Sequence, residues 1–202
     1  MPQLALAPGP IERIRADVAV VPLFAGERPL RAAAGRVDWR LCGRLSHLIA
    51  AGRLAGVIGE AVLIPGGGGM CAPRVLGLGA GERDPIDAEI FERWVIDALA
   101  RARSLAARRA VIALPELAIP LGERLGVIAQ SVARIELPER VEIAPEPIDM
   151  PGTVDWLRGA ARRARTEGLE IAAPADSGAP QGAAPEASRA RSSQESAGRS
   201  TR

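Results

Sequence analysis

The sequence predicts an α/β sandwich built on a mixed sheet, in the order β-α-β-β-α-β-α-β-α. Two observations carry this. Short runs rich in Val, Ile and Leu alternate with segments whose apolar residues recur every three to four positions, the periods of buried strands and one-sided helices. Two of the runs flank a glycine-rich link, whereas helical segments separate the others, so the sheet is mixed. With 202 residues, 48% of them apolar, the chain has room for one domain and a real core.

Residues 16–24, "ADVAVVPLF", read as a buried strand. The loop "AGERPLRAAAGRV" follows. Asp38 is placed to cap a helix over 39–51 that turns Leu41, Leu45, Leu48 and Ile49 to one side and Arg40, Arg44 and His47 to the other. Gly52 closes it. "GEAVLIP", 59–65, and "PRVLGLG", 73–79, are two strands joined by the link. Asp84 as N-cap, Pro85 at the first position and Asp87 in the first turn open a long helix ending near Ala107. Its inner face is Ile86, Ile90, Trp94 and Ala98, widened by Phe91, Val95 and Leu105; Glu89, Glu92, Arg93 and Asp97 face water. "AVIALP", 110–115, is a strand. Residues 121–136 carry Leu121, Leu125, Ile128, Val132 and Ile135 at helical spacing. "VEIAP", 141–145, is the fifth strand, and Thr153 caps a last helix to about Thr166, with Val154, Leu157, Ala161 and Ala164 inward.

Three divisions follow: an N-terminal extension (1–15), a folded domain (16–168) and a tail (172–202). The tail is Ala, Ser, Gly, Pro, Gln and Arg, with too little apolar surface to offset its ordering entropy, and is expected to be disordered.

Composition excludes several chemistries. There is no Lys, Tyr or Asn; all 26 basic residues are Arg. These absent residues have AT-rich codons, which points to a GC-rich genome. Without Lys there is no Schiff base and no P-loop lysine. Net charge is +2, with acids and bases interleaved, the pattern of a solvated surface and not of a nucleic-acid stripe. Arg162, Arg163 and Arg165 read as a solvated helix face. No signal peptide or apolar run of membrane-spanning length is visible, so a cytoplasmic protein is expected, with neither membrane nor nucleic acid as partner.

The stretch "RVLGLGAGER", 74–83, and the preceding "PGGGGM" invite a phosphate-binding reading. A dinucleotide fingerprint needs G-x-G-x-x-G after the first strand of a βαβ unit. Gly77 and Gly79 fit, but Glu82 stands at the third position and the strand is a later one. Gly66, Gly67, Gly68 and Gly69 suit a hairpin link, where glycine turns at little steric cost. With Gly77, Gly79 and Gly81 they remain the segments able to offer bare backbone N–H groups to a phosphate.

The other reactive side chains have plainer readings. His47, the single histidine, lies beside Arg40 and Arg44 as a solvated residue, and the i, i+5 spacing from Cys42 puts the two on different helix faces. Two Cys and one His do not make a zinc site. Cys42 and Cys71 read as small buried hydrophobes, and Trp39, Trp94 and Trp156 as core anchors.

"ADVAVVPLFAGERPL", "VDWRLCGRLSHLIAAGRLAGVIGEAVLIP" and "RVLGLGAGERDPIDAEIFERWVIDALARA" together resemble the N-terminal domain of the leucyl (cytosol) aminopeptidases. The match runs over about residues 14–137 and is best at Gly59-Glu60 and Gly77-Leu78-Gly79. The resemblance implies a macro-domain-like three-layer α/β/α sandwich with a mixed, mostly parallel sheet. In that family the chemistry sits in a separate C-terminal domain holding two metal ions on Asp, Glu and Lys side chains. Here Glu139, Glu142, Glu146, Asp149 and Asp155 form no such motif, so no catalytic or metal-binding residue carries over and no cofactor is expected. The resemblance therefore implies a stand-alone, non-catalytic interaction, regulatory or oligomerisation module. Its partner would be a second copy or a catalytic aminopeptidase subunit, because the family's equivalent domain packs beside a catalytic domain in an oligomer. The alternative is a macro-domain-like binder of ADP-ribose or a related nucleotide, using the glycines named above and Asp17 as the adenine-binding acid.

Overall fold

The computed structural model describes residues 2–84, 86–135, 139–144, 153–163 and 169–172. Its strands are β1 (Gln3–Leu6), β2 (Val18–Phe24), β3 (Ala61–Pro65), β4 (Arg74–Gly81), β5 (Arg109–Ala113), β6 (Arg140–Ala144) and β7 (Glu170–Ala172). They form one sheet in the order β3-β4-β2-β5-β6-β1-β7. The β3–β4 pair is antiparallel and the other described pairings are parallel.

Both faces are covered. Helices α1 (Ala32–Arg40) and α2 (Arg44–Ala50) lie on one face; α3 (Ala88–Ser104), α4 (Leu121–Arg134) and α5 (Thr153–Arg163) lie on the other. Strand alternation divides the core between the two faces. Val18, Val20, Leu76 and Leu78 pack under α3 and α4, while Ala19, Val21, Leu23 and Val75 pack under α1 and α2. Phe91 and Trp94 of α3 stack with centroids 6.3 Å apart, and burying each such side chain contributes roughly 2–3 kcal/mol. The architecture is thus the three-layer sandwich with a mixed, mostly parallel sheet that the sequence predicts.

The differences are local and have physical causes. Residues 1–15, expected as an extension, supply β1, which is inserted between β6 and β7 with Leu4, Ala5 and Leu6 fully buried. Its three apolar residues, Leu4 to Leu6, are too few to stand out from the surrounding Pro and Ala. The helix expected over 39–51 is two helices. Cys42 (φ 55°) and Gly43 (φ 76°) take left-handed backbone and break it. Asp38 does cap a helix, but from within α1. Its carboxylate accepts from the N–H groups of Leu45 (2.7 Å) and Ser46 (3.1 Å) and from the Ser46 hydroxyl (2.5 Å), at the start of α2. Gly52, at φ 66°, ends α2 as expected.

The N-cap of α3 is Asp87, which accepts from the Ile90 N–H at 2.8 Å, and not Asp84. Pro85, residues 164–168 and the segment 173–202 lie outside the described residues, as do the side chains of Thr153, Val154 and Trp156. Of the expected core anchors, Trp94 is buried, but Trp39 is exposed. Cys42 and Cys71 are exposed and not buried; the first sits on the left-handed turn and the second in the β3–β4 link, where neither side chain can reach a core layer. His47 is exposed, as expected. No helix among the described residues is long and apolar enough to cross a membrane.

Candidate ligand cleft at the carboxyl ends of the strands

The glycines and Asp17 do not converge. Gly77 lies inside β4, paired with Val21 and Val62, and faces Leu45 of α2, whereas Gly79 pairs with Leu23 and lies under Gly56 and Val57. The Gly79 N–H donates to the Glu60 carbonyl at 2.8 Å and the Gly81 N–H to the Gly56 carbonyl at 2.9 Å. A Cβ at Gly79 would overlap the Val57 carbonyl oxygen, and one at Gly77 would press on Leu23 and Val62. These residues are glycine so that segment 54–58 and its neighbours can close on the sheet.

Gly66 to Gly69 belong to the opposite end of β4. The Gly66 N–H donates to the Pro73 carbonyl (2.8 Å), and Gly67 and Gly68 alone have open space around their Cα atoms. Asp17 lies at that same end, before β2. One of its carboxylate oxygens accepts from the N–H groups of Arg108 (2.7 Å) and Arg109 (2.9 Å), which fixes the entry to β5. Seven residue steps, roughly 23 Å of extended chain, separate this end from Gly81.

Open parallel sheets bind ligands beyond the carboxyl ends of the strands, where the strand order reverses. Here that place lies beyond β2, β4 and β5, because the chain leaves β2 for β3 and β4 on one side and then crosses to β5 on the other. Sequence reasoning missed the residues found there. Glu27 follows β2 and Arg83 follows β4; the Arg83 Nη2 lies 3.0 and 3.2 Å from the two Glu27 carboxylate oxygens. Its Nη1 donates to the Glu116 carbonyl at 2.9 Å. The guanidinium carbon lies over Phe24, 4.0 Å from the ring centroid, a cation–π contact. Arg31 of the loop before α1 approaches Glu27 at 3.9 Å from outside. The Glu27 side chain is 9% exposed.

A second arginine holds the same strand exit. Arg124, buried in the first turns of α4, donates to the Pro115 carbonyl, next to the carbonyl held by Arg83. Burial holds its guanidinium below the ordinary arginine value, against the opposing pull of Glu116. With Glu27, Arg83 and Phe24 in place, the room left is about 20 Å³, enough for a single water. The cleft is occupied by the protein's own ion pair. Among the described residues no three His, Cys, Asp or Glu side chains gather as metal ligands would.

The family described as "Cytosol aminopeptidase family, N-terminal domain" matches residues 20–139. A probable cytosol aminopeptidase of Xylella fastidiosa is 31% identical over 108 residues, 54% of this chain and 22% of that protein. One of Xanthomonas axonopodis pv. citri is 33% identical over 116 residues, 57% of this chain and 24% of that one. The chain thus spans about a quarter of the length of the curated relatives it matches. Among solved structures, a tomato leucine aminopeptidase variant aligns at TM-score 0.56 and 18% identity, over 82% of this chain and 36% of that one. The macro domain of ganglioside induced differentiation associated protein 2 aligns at TM-score 0.63 and 12% identity, over 80% and 85%. These likenesses agree with the fold, and the sequence match reaches further: the chain belongs to the cytosol aminopeptidase family, through that family's N-terminal domain.

Proposed function

We propose that this domain is a non-catalytic interaction module that works in the cytoplasm through its outer surface, with a second copy or a catalytic aminopeptidase subunit as partner. One observation carries the reading: the place where this fold would admit a ligand is filled by the Glu27–Arg83 pair over Phe24. A nucleotide diphosphate entering there would have to break a largely buried ion pair and displace Arg83 from its carbonyl, and it would meet the Glu27 carboxylate with like charge. The relatives, probable cytosol aminopeptidases, support the compartment and the kind of partner.

The second reading is an ADP-ribose binder, favoured by the likeness of the fold to macro domains. A calorimetric titration with ADP-ribose separates the two. A flat titration to about 1 mM is expected, and saturable binding below that concentration would replace the first reading with the second. Light scattering behind size exclusion, on the domain alone and mixed with the same host's full-length cytosol aminopeptidase, tests the module itself. Self-association or co-elution supports it; two independent monodisperse monomers count against it.

A further inference from the structure

We propose that the groove between the Pro29–Leu30 segment, the end of α1 and the β3–β4 link is a docking surface for an acidic segment of a partner protein that carries an apolar anchor. The inference rests on the interaction-module reading and assigns its surface and partner chemistry.

Three features point there. The first is Trp39, 74% exposed in the last turn of α1. Val37 and Asp38 occupy the inward positions of that turn, so Trp39 must project outward. The indole offers the large rigid contact area that anchors interfaces. Arg40 lies over its ring at 5.2 Å and restrains it.

The second is shape. The groove is open, about 700 Å³, and lined by Pro29, Leu30, Gly43 and Gly69 as well as Trp39 and Cys42. Gly69 abuts the Arg40 carbonyl so closely that a Cβ would overlap it. The floor is therefore set by glycine, and an apolar side chain has a depression to enter beside the indole.

The third is charge. Residues 28–53 contain six arginines against a single acid, Asp38; Arg31 and Arg36 are paired with Glu27 and Glu12 from outside the segment. Asp38 also lines the groove but is largely buried, and its carboxylate is turned onto the Leu45 and Ser46 donors, so it keeps its charge but offers little of it to the groove. Arg28, Arg40 and Arg44 have no carboxylate partner among the described residues. Arg40 lines the groove and Arg44 follows the lining residue Gly43, while Arg28 donates to the Ile49 carbonyl; positive charge at this edge of the hollow matches acidic side chains flanking a Leu- or Phe-like one. A second copy would bring the same positive groove and be repelled. Single-stranded nucleic acid is read on successive aromatic platforms, and this surface has one.

The test is a titration of the whole chain with a peptide of about twelve residues, Glu and Asp around a central Leu-Leu. Binding in the tens of micromolar, followed by calorimetry and weakened by salt, is expected. Trp39→Ala should weaken it tenfold or more, and Arg40→Glu with Arg44→Glu should abolish it. Cys42 lines the groove and Cys71 does not, so bound peptide should slow iodoacetamide labelling of Cys42 and leave Cys71 unchanged. This readout needs no variant to fold. No saturation at about 1 mM, unchanged affinity in Trp39→Ala, equal protection of both cysteines, tighter binding of a twelve-nucleotide single strand, or self-association through these residues would each overturn the proposal. If the domain still co-elutes with an aminopeptidase when the groove variants do, the module reading stands and the groove alone fails.

Discussion

Arg83 lies over Phe24: the guanidinium carbon is 4.0 Å from the ring centroid, where the strands β4 and β2 end side by side. The contact aligns the two ends of the guanidinium, one on Glu27 and one on the Glu116 carbonyl. Three chain segments are thereby tied at the mouth of the sheet, and the same tie leaves no room for a ligand.

Arg83→Ala should therefore destabilise the domain by about 2 kcal/mol, the scale of losing charge-assisted hydrogen bonds from a largely buried carboxylate. Arg83 is itself a third exposed, which keeps the loss below that of a fully buried pair. Glu27→Gln should cost less, because the amide oxygen still accepts from Arg83. Urea midpoints of the two variants check the order, and a larger loss in Glu27→Gln would show that the pair does not close the cleft as described.

The glycines divide sharply. Gly79→Ala puts a methyl group into the Val57 carbonyl, and backbone cannot yield there without shifting the sheet. A loss of roughly 3 kcal/mol or more is expected. Gly68→Ala meets nothing within contact distance and should stay within about 0.5 kcal/mol. Thermal unfolding of the pair is enough. Equal effects would undo the assignment of Gly79 to packing.

Asp38 joins α1 to α2 through three accepted hydrogen bonds. Asp38→Ala should cost about 1–2 kcal/mol, as for loss of a helix cap, with the change concentrated in α2. Hydrogen exchange should show faster exchange at Leu45 and Ser46 than at the amides of α3. Uniform acceleration across the chain would mean that Asp38 acts on the whole core instead.

How much of this was legible in the sequence follows from the range of each interaction. Val18 to Phe24 and the apolar stripe of α3 are local periodic signals, so the sheet core and its helices could be read directly. The family resemblance supplied the layer arrangement. β1 and β7 are missed because each is short and its partner strand is more than a hundred residues away; Leu4 is buried where it pairs with Val141, and β7 stays half-exposed at the edge. Asp38 announced a cap, but only the left-handed Cys42–Gly43 turn shows which helix it serves. The Glu27–Arg83 pair spans 56 residues, and neither residue lies in a motif. The glycines, in contrast, stood out in the sequence for their resemblance to a phosphate loop, and Gly79 proves to be spent on close packing in a strand.

Arg124 carries a charge that its surroundings barely reward. Its side chain is 7% exposed, its Nε has no partner, and the Pro115 carbonyl is the acceptor the structure gives it. Burial disfavours its charge, and Glu116 compensates from an exposed position. A buried cation with so few partners adds little to stability, because its desolvation cost is of the order of its attraction. Ser131, on the same helix, is likewise buried with its hydroxyl unpartnered. Arg124→Met keeps much of the volume and should change stability by no more than about 1 kcal/mol, in either direction. Ser131→Ala should be neutral or stabilising by a similar amount, since alanine favours the helix and removes an unsatisfied group. Denaturant unfolding of both variants measures this directly. A loss of several kcal/mol in Arg124→Met alone would show that the hydrogen bond to Pro115 holds the β5 exit in place and outweighs the cost of burying the charge.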